Sequence, residues 1–496
     1  MRGRSVPLNR LLRRILVVGA VCLFMLAGCG SAQGRTVPDR CIIKPGQRVL
    51  FFGDSIIAPG MFSHVANALT DRLYPGHGIT FHSAGWAGTS AKTILPRVPE
   101  ALKGREYDWI ILNLAHNDVG QYGPEEFQEH AATLLKEIRK MSRARLAWMS
   151  VLGNEPSPDT GQQDEAAARR TSEQRAKQKA FVGALKEICT REDVVYLPMH
   201  EAFEKLLAER SRRGYQTCFT FDHVHPNLVG SWLLGAALLQ CLGLEPDTTA
   251  VDVLIGDSTS NHSRRPVEPI KKPVELKFDS LFLALRLVLP PAWKVACAQR
   301  TGIVLDGLLS DWKGADVLRI AAPLHVTMEL EPRSAAGRAA TMRTCRDEKH
   351  LYFAFEVQEP DTGEGTWFPE IVELLVDGRK DTTRSGNVWQ RTPGLTQFAF
   401  HRDFTGKAGE GNVSIFVNGD KSQGEAVRAA ARKVDAGYVM EVTIPVANFK
   451  QVELTKGYEL PFAWAVSFTD QALNLDLTGL MGRMSQTRGY ARLILE

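Results

Sequence analysis

Val49-Leu50-Phe51-Phe52-Gly53-Asp54-Ser55 decides how the chain is read: four apolar residues in a row, then a glycine, an acid and a hydroxyl. An unbroken apolar run bounded by turn chemistry is the pattern of a strand buried on both faces of a parallel sheet. Gly53 takes backbone angles that other residues resist, so the chain is expected to bend there. The bend delivers Ser55 to the sheet's carboxyl edge, where ligands of open α/β sheets bind. Serine is a weak nucleophile at its free pKa. Ser55 therefore needs a base, and the base needs an orienting partner.

Both residue types stand together in Asp222-His223-Val224-His225, with Pro226 directly after. Proline turns the preceding residue away from helical geometry and suits a helix's first turn, here expected from Pro226 to about Gly243. His225 then lies at the positive end of a helix dipole, a setting that suits the neutral imidazole of a general base.

With these residues the chain resembles the SGNH or GDSL hydrolases, which carry four short blocks in fixed order. The resemblance covers roughly residues 47–244. Gly53-Asp54-Ser55 resembles the nucleophile block, Ser83-Ala84-Gly85-Trp86-Ala87-Gly88 the second, Ala115-His116-Asn117-Asp118 the third and Asp222-x-x-His225 the fourth. It implies a Ser55–His225–Asp222 triad, and an oxyanion hole from the Ser55 and Gly85 N–H groups and the Asn117 side chain. Of the two histidines in the last block, the family spacing picks His225 over His223. Ser83 stands where the family usually has Asn, and Ala115 where it usually has Gly. Asp118 and His116 read as turn and solvated positions.

Single blocks are weak, and the chain repeats two of them. Gly256-Asp257-Ser258 follows Val253-Leu254-Ile255, and Asp347-x-x-His350 copies the fourth spacing. Nothing after Ser258 resembles the second and third blocks, so order and completeness select Ser55. No G-x-S-x-G surrounds Ser55, which argues against an α/β-hydrolase elbow.

Composition sets the outer limits. The 496 residues suggest two or three domains, and 44% hydrophobic content suffices for sizeable cores. The formal charge of +4 belongs to the start of the chain: Arg2, Arg4, Arg10, Arg13 and Arg14 precede Cys29 with no acid among them, and without them it falls to −1. No arginine-rich stripe with interleaved aromatics appears in the body, so nucleic acid is not an expected partner.

The same segment has a basic start and an apolar run, Ile15 to Ala27, shorter than the ~20 residues of a spanning helix. Leu26-Ala27-Gly28-Cys29 ends it and resembles a bacterial lipobox, which implies a signal peptide over 1–28 and lipidation of Cys29. The expected location is the bacterial cell envelope, lipid-anchored and facing the periplasm or the exterior. Cys41, Cys189, Cys218, Cys241, Cys297 and Cys345 would then meet an oxidising compartment, with pairing open. C-x-x-C and H-E-x-x-H are both absent, so no catalytic metal and no catalytic cofactor is expected.

After a tether over 29–46, strands and helices alternate through 47–248. Helices are expected at Met61 to Leu73, Ser90 to Leu102, Pro124 to Met141 and about Asp164 to Thr190. Strands are expected at Ile79 to Ser83, Trp109 to Leu112, Leu146 to Val151 and Val194 to Leu197. The pattern is α/β with a parallel sheet covered on both faces, and the family fold is a flavodoxin-like three-layer sandwich with five strands. A connector over 249–296 contains the proline-rich stretch Arg264 to Val274 and the apolar run Leu281 to Leu289, a candidate strand of the following domain.

From about residue 297 to 496 the period becomes alternating, as in Leu351, Phe353, Phe355 and Val357, or Tyr438, Met440, Val442 and Ile444. This predicts an all-β sandwich. Leu305-Asp306-Gly307 with Asp311-Trp312, and the acidic and aromatic runs after it, resemble family-9 carbohydrate-binding modules. Sugar rings pack C–H faces on aromatics, which makes Trp389 and Trp367 the candidate platform, with Trp312 and Trp464 assigned to packing. Asp361 and Asp377 are candidate ligands for the structural calcium of relatives.

The functional expectation is a lipid-anchored serine esterase that deacetylates a polysaccharide or oligosaccharide. A lysophospholipase or thioesterase of the same family is the alternative among enzymes. A non-catalytic glycan-binding surface lipoprotein is the alternative outside them.

Overall fold

The computed structural model describes residues 36–155, 165–212, 219–220, 223–244, 253–254, 274–276, 285–288, 294–322, 326–329, 336–358, 371–378, 394–403, 410–421, 426–449, 452, 455–468, 473–476 and 491–496. Cys29, Asp222, Ser258, Asp361, Trp367 and Trp389, together with the Arg264 to Pro273 stretch, lie outside them.

Five strands, β1 (Arg48–Gly53), β2 (Thr80–Gly85), β3 (Trp109–Asn113), β4 (Arg145–Met149) and β5 (Val195–Leu197), form a parallel sheet in the order β2-β1-β3-β4-β5. Strand alternation divides the apolar run of β1 between two cores. Val49 and Phe51 join a layer built on α1 (Met61–Leu73), α5 (Met199–Arg212) and α6 (Leu228–Cys241). Leu50 and Phe52 join the opposite layer with α2 (Val98–Leu102), α3 (Pro124–Met141) and α4 (Glu165–Arg191). All four are buried, each contributing on the order of 1.5–3 kcal/mol of transfer free energy. The expected flavodoxin-like three-layer sandwich is thus present.

Two boundaries differ from expectation. The helix anticipated from Ser90 is a turn, a 3-10 segment at Leu95–Arg97 and the short α2, because Pro96 and Pro99 remove the N–H groups a continuous helix would use. The last helix begins at Leu228 instead of Pro226, with Asn227 as its N-cap accepting from Gly230 N at 2.9 Å. Helix α5 was not anticipated at all.

Between the two large domains, Leu285–Val288 pairs with Val253–Leu254 and Val274–Leu276 in a separate three-stranded sheet. That part of the Leu281 to Leu289 run is therefore not a strand of the following domain.

The C-terminal region is an antiparallel-rich β domain of two packed faces. The faces join at both margins: Glu410–Val417 pairs with Arg428–Val434, and Ala491–Leu495 bridges Lys294–Gln299 to Glu459–Phe468. Leu351, Phe353, Phe355 and Val357 point into its core, and Phe355 meets Phe400 and Trp464 with centroids 6.5 and 5.6 Å apart. Trp312 and Trp464 are buried packing residues. Trp312 Nε1 donates to Glu441 at 2.6 Å, and the same carboxylate accepts from Asp306 N and Gly307 N, which ties the domain's opening motif to its core. Asp347 takes the Lys349 and His350 N–H groups in a hairpin turn, so Asp347-x-x-His350 serves a turn. Asp377 is fully buried at a strand end, and no cluster of metal-ligating side chains occurs among the described residues. Cys41, Cys189, Cys241, Cys297 and Cys345 are unpaired thiols.

Candidate active site

Three of the four motif blocks occupy the carboxyl ends of neighbouring strands. β1 lies between β2 and β3, at the point where the winding of the sheet reverses, the place where ligands of open α/β sheets bind. Ser55 follows β1, Gly85 ends β2 and Asn117 follows β3.

Gly53 is needed for a different reason from the one expected. Its φ lies outside the left-handed region, but a Cβ there would fall 2.3 Å from Asn113 O and 2.9 Å from Ile57 Cγ1. Glycine lets the ends of β1 and β3 close on each other. At Gly85 a Cβ would lie 2.4 Å from Ala58 N and 2.8 Å from Asp54 O, so β2 presses equally closely on the turn that carries Ser55. That turn is wound by Asp54: its carbonyl accepts from Ile57 N and Ala58 N, and its Oδ1 from Ile56 N at 2.9 Å. Ser55 emerges half-buried at its tip.

Ser55 Oγ lies 2.7 Å from His225 Nε2. His223, the rival histidine, turns elsewhere, its Nδ1 donating to Glu155 O at 2.7 Å with φ at 74°.

Asn117 is half-buried, and its Nδ2 donates to Thr89 O at 2.9 Å with Asp54 Oδ2 at 3.4 Å. Ala115, two residues earlier, has φ at 98°, a conformation costly for a side-chain-bearing residue. Glycine would sit there without strain, which makes the departure from the family pattern a physical one. Ser83, the other departure, bonds Ser63 Oγ at 2.8 Å.

Asp118 is not a solvated turn residue. It is fully buried, and its carboxylate accepts from Ala91 N at 3.1 Å, tying the loop after β2 to the loop after β3. Burial pushes its carboxyl up to about 6, against the backbone donors that favour the charge. Burial likewise pushes Asp54 up to about 7, opposed by the Ile56 N–H and by His225, with Asp118 adding to the rise. Two carboxyls reluctant to ionise therefore underlie the turn that carries Ser55.

Sequence reasoning missed Glu155. This fully buried residue after β4 accepts from Thr220 N at 2.7 Å and Thr220 Oγ1 at 2.5 Å, at the base of the loop that carries His225.

Residues 51–233 match the model of the GDSL-like Lipase/Acylhydrolase family. The first domain is a GDSL-like acylhydrolase. The enzyme is accordingly a carboxylic ester hydrolase, and residues 306–476 match the model described as Carbohydrate family 9 binding domain-like. The acylhydrolase is 23% identical over 232 residues to an acetylxylan esterase of Geobacillus stearothermophilus, a match covering 41% of this chain and 97% of that protein. Among solved structures, an acetylxylan esterase of the same organism aligns at 20% identity and a TM-score of 0.34, over 41% of this chain and 97% of the other. An alpha/beta hydrolase enzyme from the metagenome of Lake Arreo, Spain, aligns at 16% identity and a TM-score of 0.33, over 40% and 97%.

Proposed function

We propose that this acylhydrolase is a serine esterase that removes acetyl groups from a polysaccharide or oligosaccharide. The observation that carries the chemistry is the 2.7 Å contact between Ser55 Oγ and His225 Nε2 at the carboxyl edge of the sheet. At that distance the imidazole takes the hydroxyl proton as Oγ attacks the ester carbonyl. It returns the proton to the departing sugar oxygen, and water then repeats the cycle on the acyl-enzyme. Asp222 is assigned the role of holding the imidazole. The oxyanion is assigned to the Ser55 and Gly85 N–H groups and to the Asn117 amide, which exchanges its link to Asp54 for the developing charge.

The acetylated-sugar substrate is supported by the carbohydrate-binding domain match and by the acetylxylan esterase relative. Trp389 and Trp367 are assigned to holding polymer, which raises the local concentration of ester groups without changing the chemical step. The leader pattern supports a lipid anchor at Cys29 on the cell envelope, facing the periplasm or exterior.

Purified protein lacking residues 1–29 is assayed on acetyl and long-chain acyl esters and for acetate release from acetylated xylan. Efficient turnover of acetyl esters with acetate release is expected. Preference for long acyl chains, with no glycan retained in a pull-down, would replace this reading with that of a lipid esterase.

A further inference from the structure

His225 is not on the sheet. It sits in a loop between α5 and α6, and something must hold that loop against the nucleophile turn. Asn227 N donates to Phe219 O at 2.9 Å and Thr220 bridges to Pro226, which closes the loop at its base. The base rests on Glu155. Its carboxylate accepts from Phe219 N at 3.0 Å and from both donors of Thr220, and it pairs with Arg210. Its main chain grips the tip: Glu155 N donates to His223 O at 2.8 Å, and His223 Nδ1 donates to Glu155 O at 2.7 Å. The neighbouring Asn154 is fixed in turn to α4, its N–H donating to Gln178 Oε1 at 2.9 Å and its Oδ1 accepting from Gln178 Nε2 at 2.7 Å.

Glu155 and Arg210 are 0% and 3% exposed. Burying such a pair is costly, and an apolar pair of similar volume is often the more stable choice. Among the described residues, every donor the carboxylate takes, apart from Arg210, lies in Phe219 and Thr220, seven and six residues before Pro226. We propose that the buried Glu155–Arg210 pair is the positioning device of the catalytic base, fixing Phe219, Thr220 and His223 so that His225 Nε2 stays within reach of Ser55 Oγ. This rests on the reading of Ser55 and His225 as nucleophile and base. Glu155 touches neither substrate nor reacting atoms and acts through the loop.

The test uses the full mature chain with Glu155→Gln, Thr220→Val and Ser55→Ala. Glu155→Gln keeps the shape but turns an N–H donor toward groups that need an acceptor. With the base displaced by a fraction of an ångström, kcat on a small acetyl ester falls roughly 10²-fold. KM stays within about twofold, because ester binding is untouched. Labelling of Ser55 by an organophosphonate slows by the same factor. Thr220→Val, which removes only the Oγ1 donor, gives a several-fold fall in kcat with KM unchanged, and decides the matter if Glu155→Gln does not fold. Folded variants with wild-type kcat and labelling rate, or with a raised KM at constant kcat, overturn the proposal. Full activity in Ser55→Ala would instead overturn the catalytic reading itself.

Discussion

The two halves of the proposed active site are held by different physics. The nucleophile half is fixed by backbone packing: three strand ends converge, and Gly53 and Gly85 let main chain touch main chain where no Cβ fits. The base half is fixed by side chains, with one buried carboxylate gathering the loop that carries His225. A packed backbone tolerates little change, and the two buried carboxyls beneath it, Asp54 and Asp118, are pushed towards their neutral forms. A polar clasp is specific and fails when a single donor or acceptor is lost.

Removing the base tests the pairing most severely. His225→Ala should lower kcat by about 10⁴-fold or more in a steady-state ester assay, because the hydroxyl loses its proton acceptor. Asn117→Ala should cost less, about 10²- to 10³-fold in kcat with KM little changed, as for one oxyanion donor. A loss equal to that of His225→Ala would place Asn117 in the proton-transfer machinery instead.

The packed half is probed by stability and pH. Burial pushes the Asp54 carboxyl from its ordinary 3.8 up to about 7 in the fold. Between those values the native state holds a proton that the unfolded chain has released. The resulting stability is complete below about pH 4 and is lost as pH rises through about 7. Asp54→Asn, which mimics the protonated carboxyl, should therefore gain Tm relative to wild type between pH 5 and pH 8 in thermal melts. A Tm difference constant across that range would show that Asp54 ionises normally. The smallest effect is expected at Ala115. Ala115→Gly vacates a buried methyl, worth about 0.8 kcal/mol, but relieves backbone strain of about 1–3 kcal/mol. Stability by denaturant titration should therefore stay level or rise by up to about 2 kcal/mol, whereas a loss would mean the φ of 98° carries no strain.

The sheet and the nucleophile turn were legible because their signals are local: an apolar run, a glycine, and an acid beside a hydroxyl. The alternation that marked Leu351 to Val357 as a core-facing strand is of the same kind, and all four residues are buried. Glu155 left no such trace. It is a lone acid before a proline, 64 residues from Phe219, and only the folded chain brings them together. Asp118 looked solvated because an acid after a strand usually is. Its burial depends on Ala91, 27 residues away. Gly53 was recognised for the wrong reason, since close approach between strands cannot be read from one strand.

The central claim is that Ser55 is the nucleophile, and peptide mapping after organophosphonate labelling tests it most directly. The mass increase should fall on the peptide containing Ser55, disappear in Ser55→Ala and persist in Ser258→Ala. Label on Ser258, or undiminished labelling and turnover in Ser55→Ala, would contradict the account.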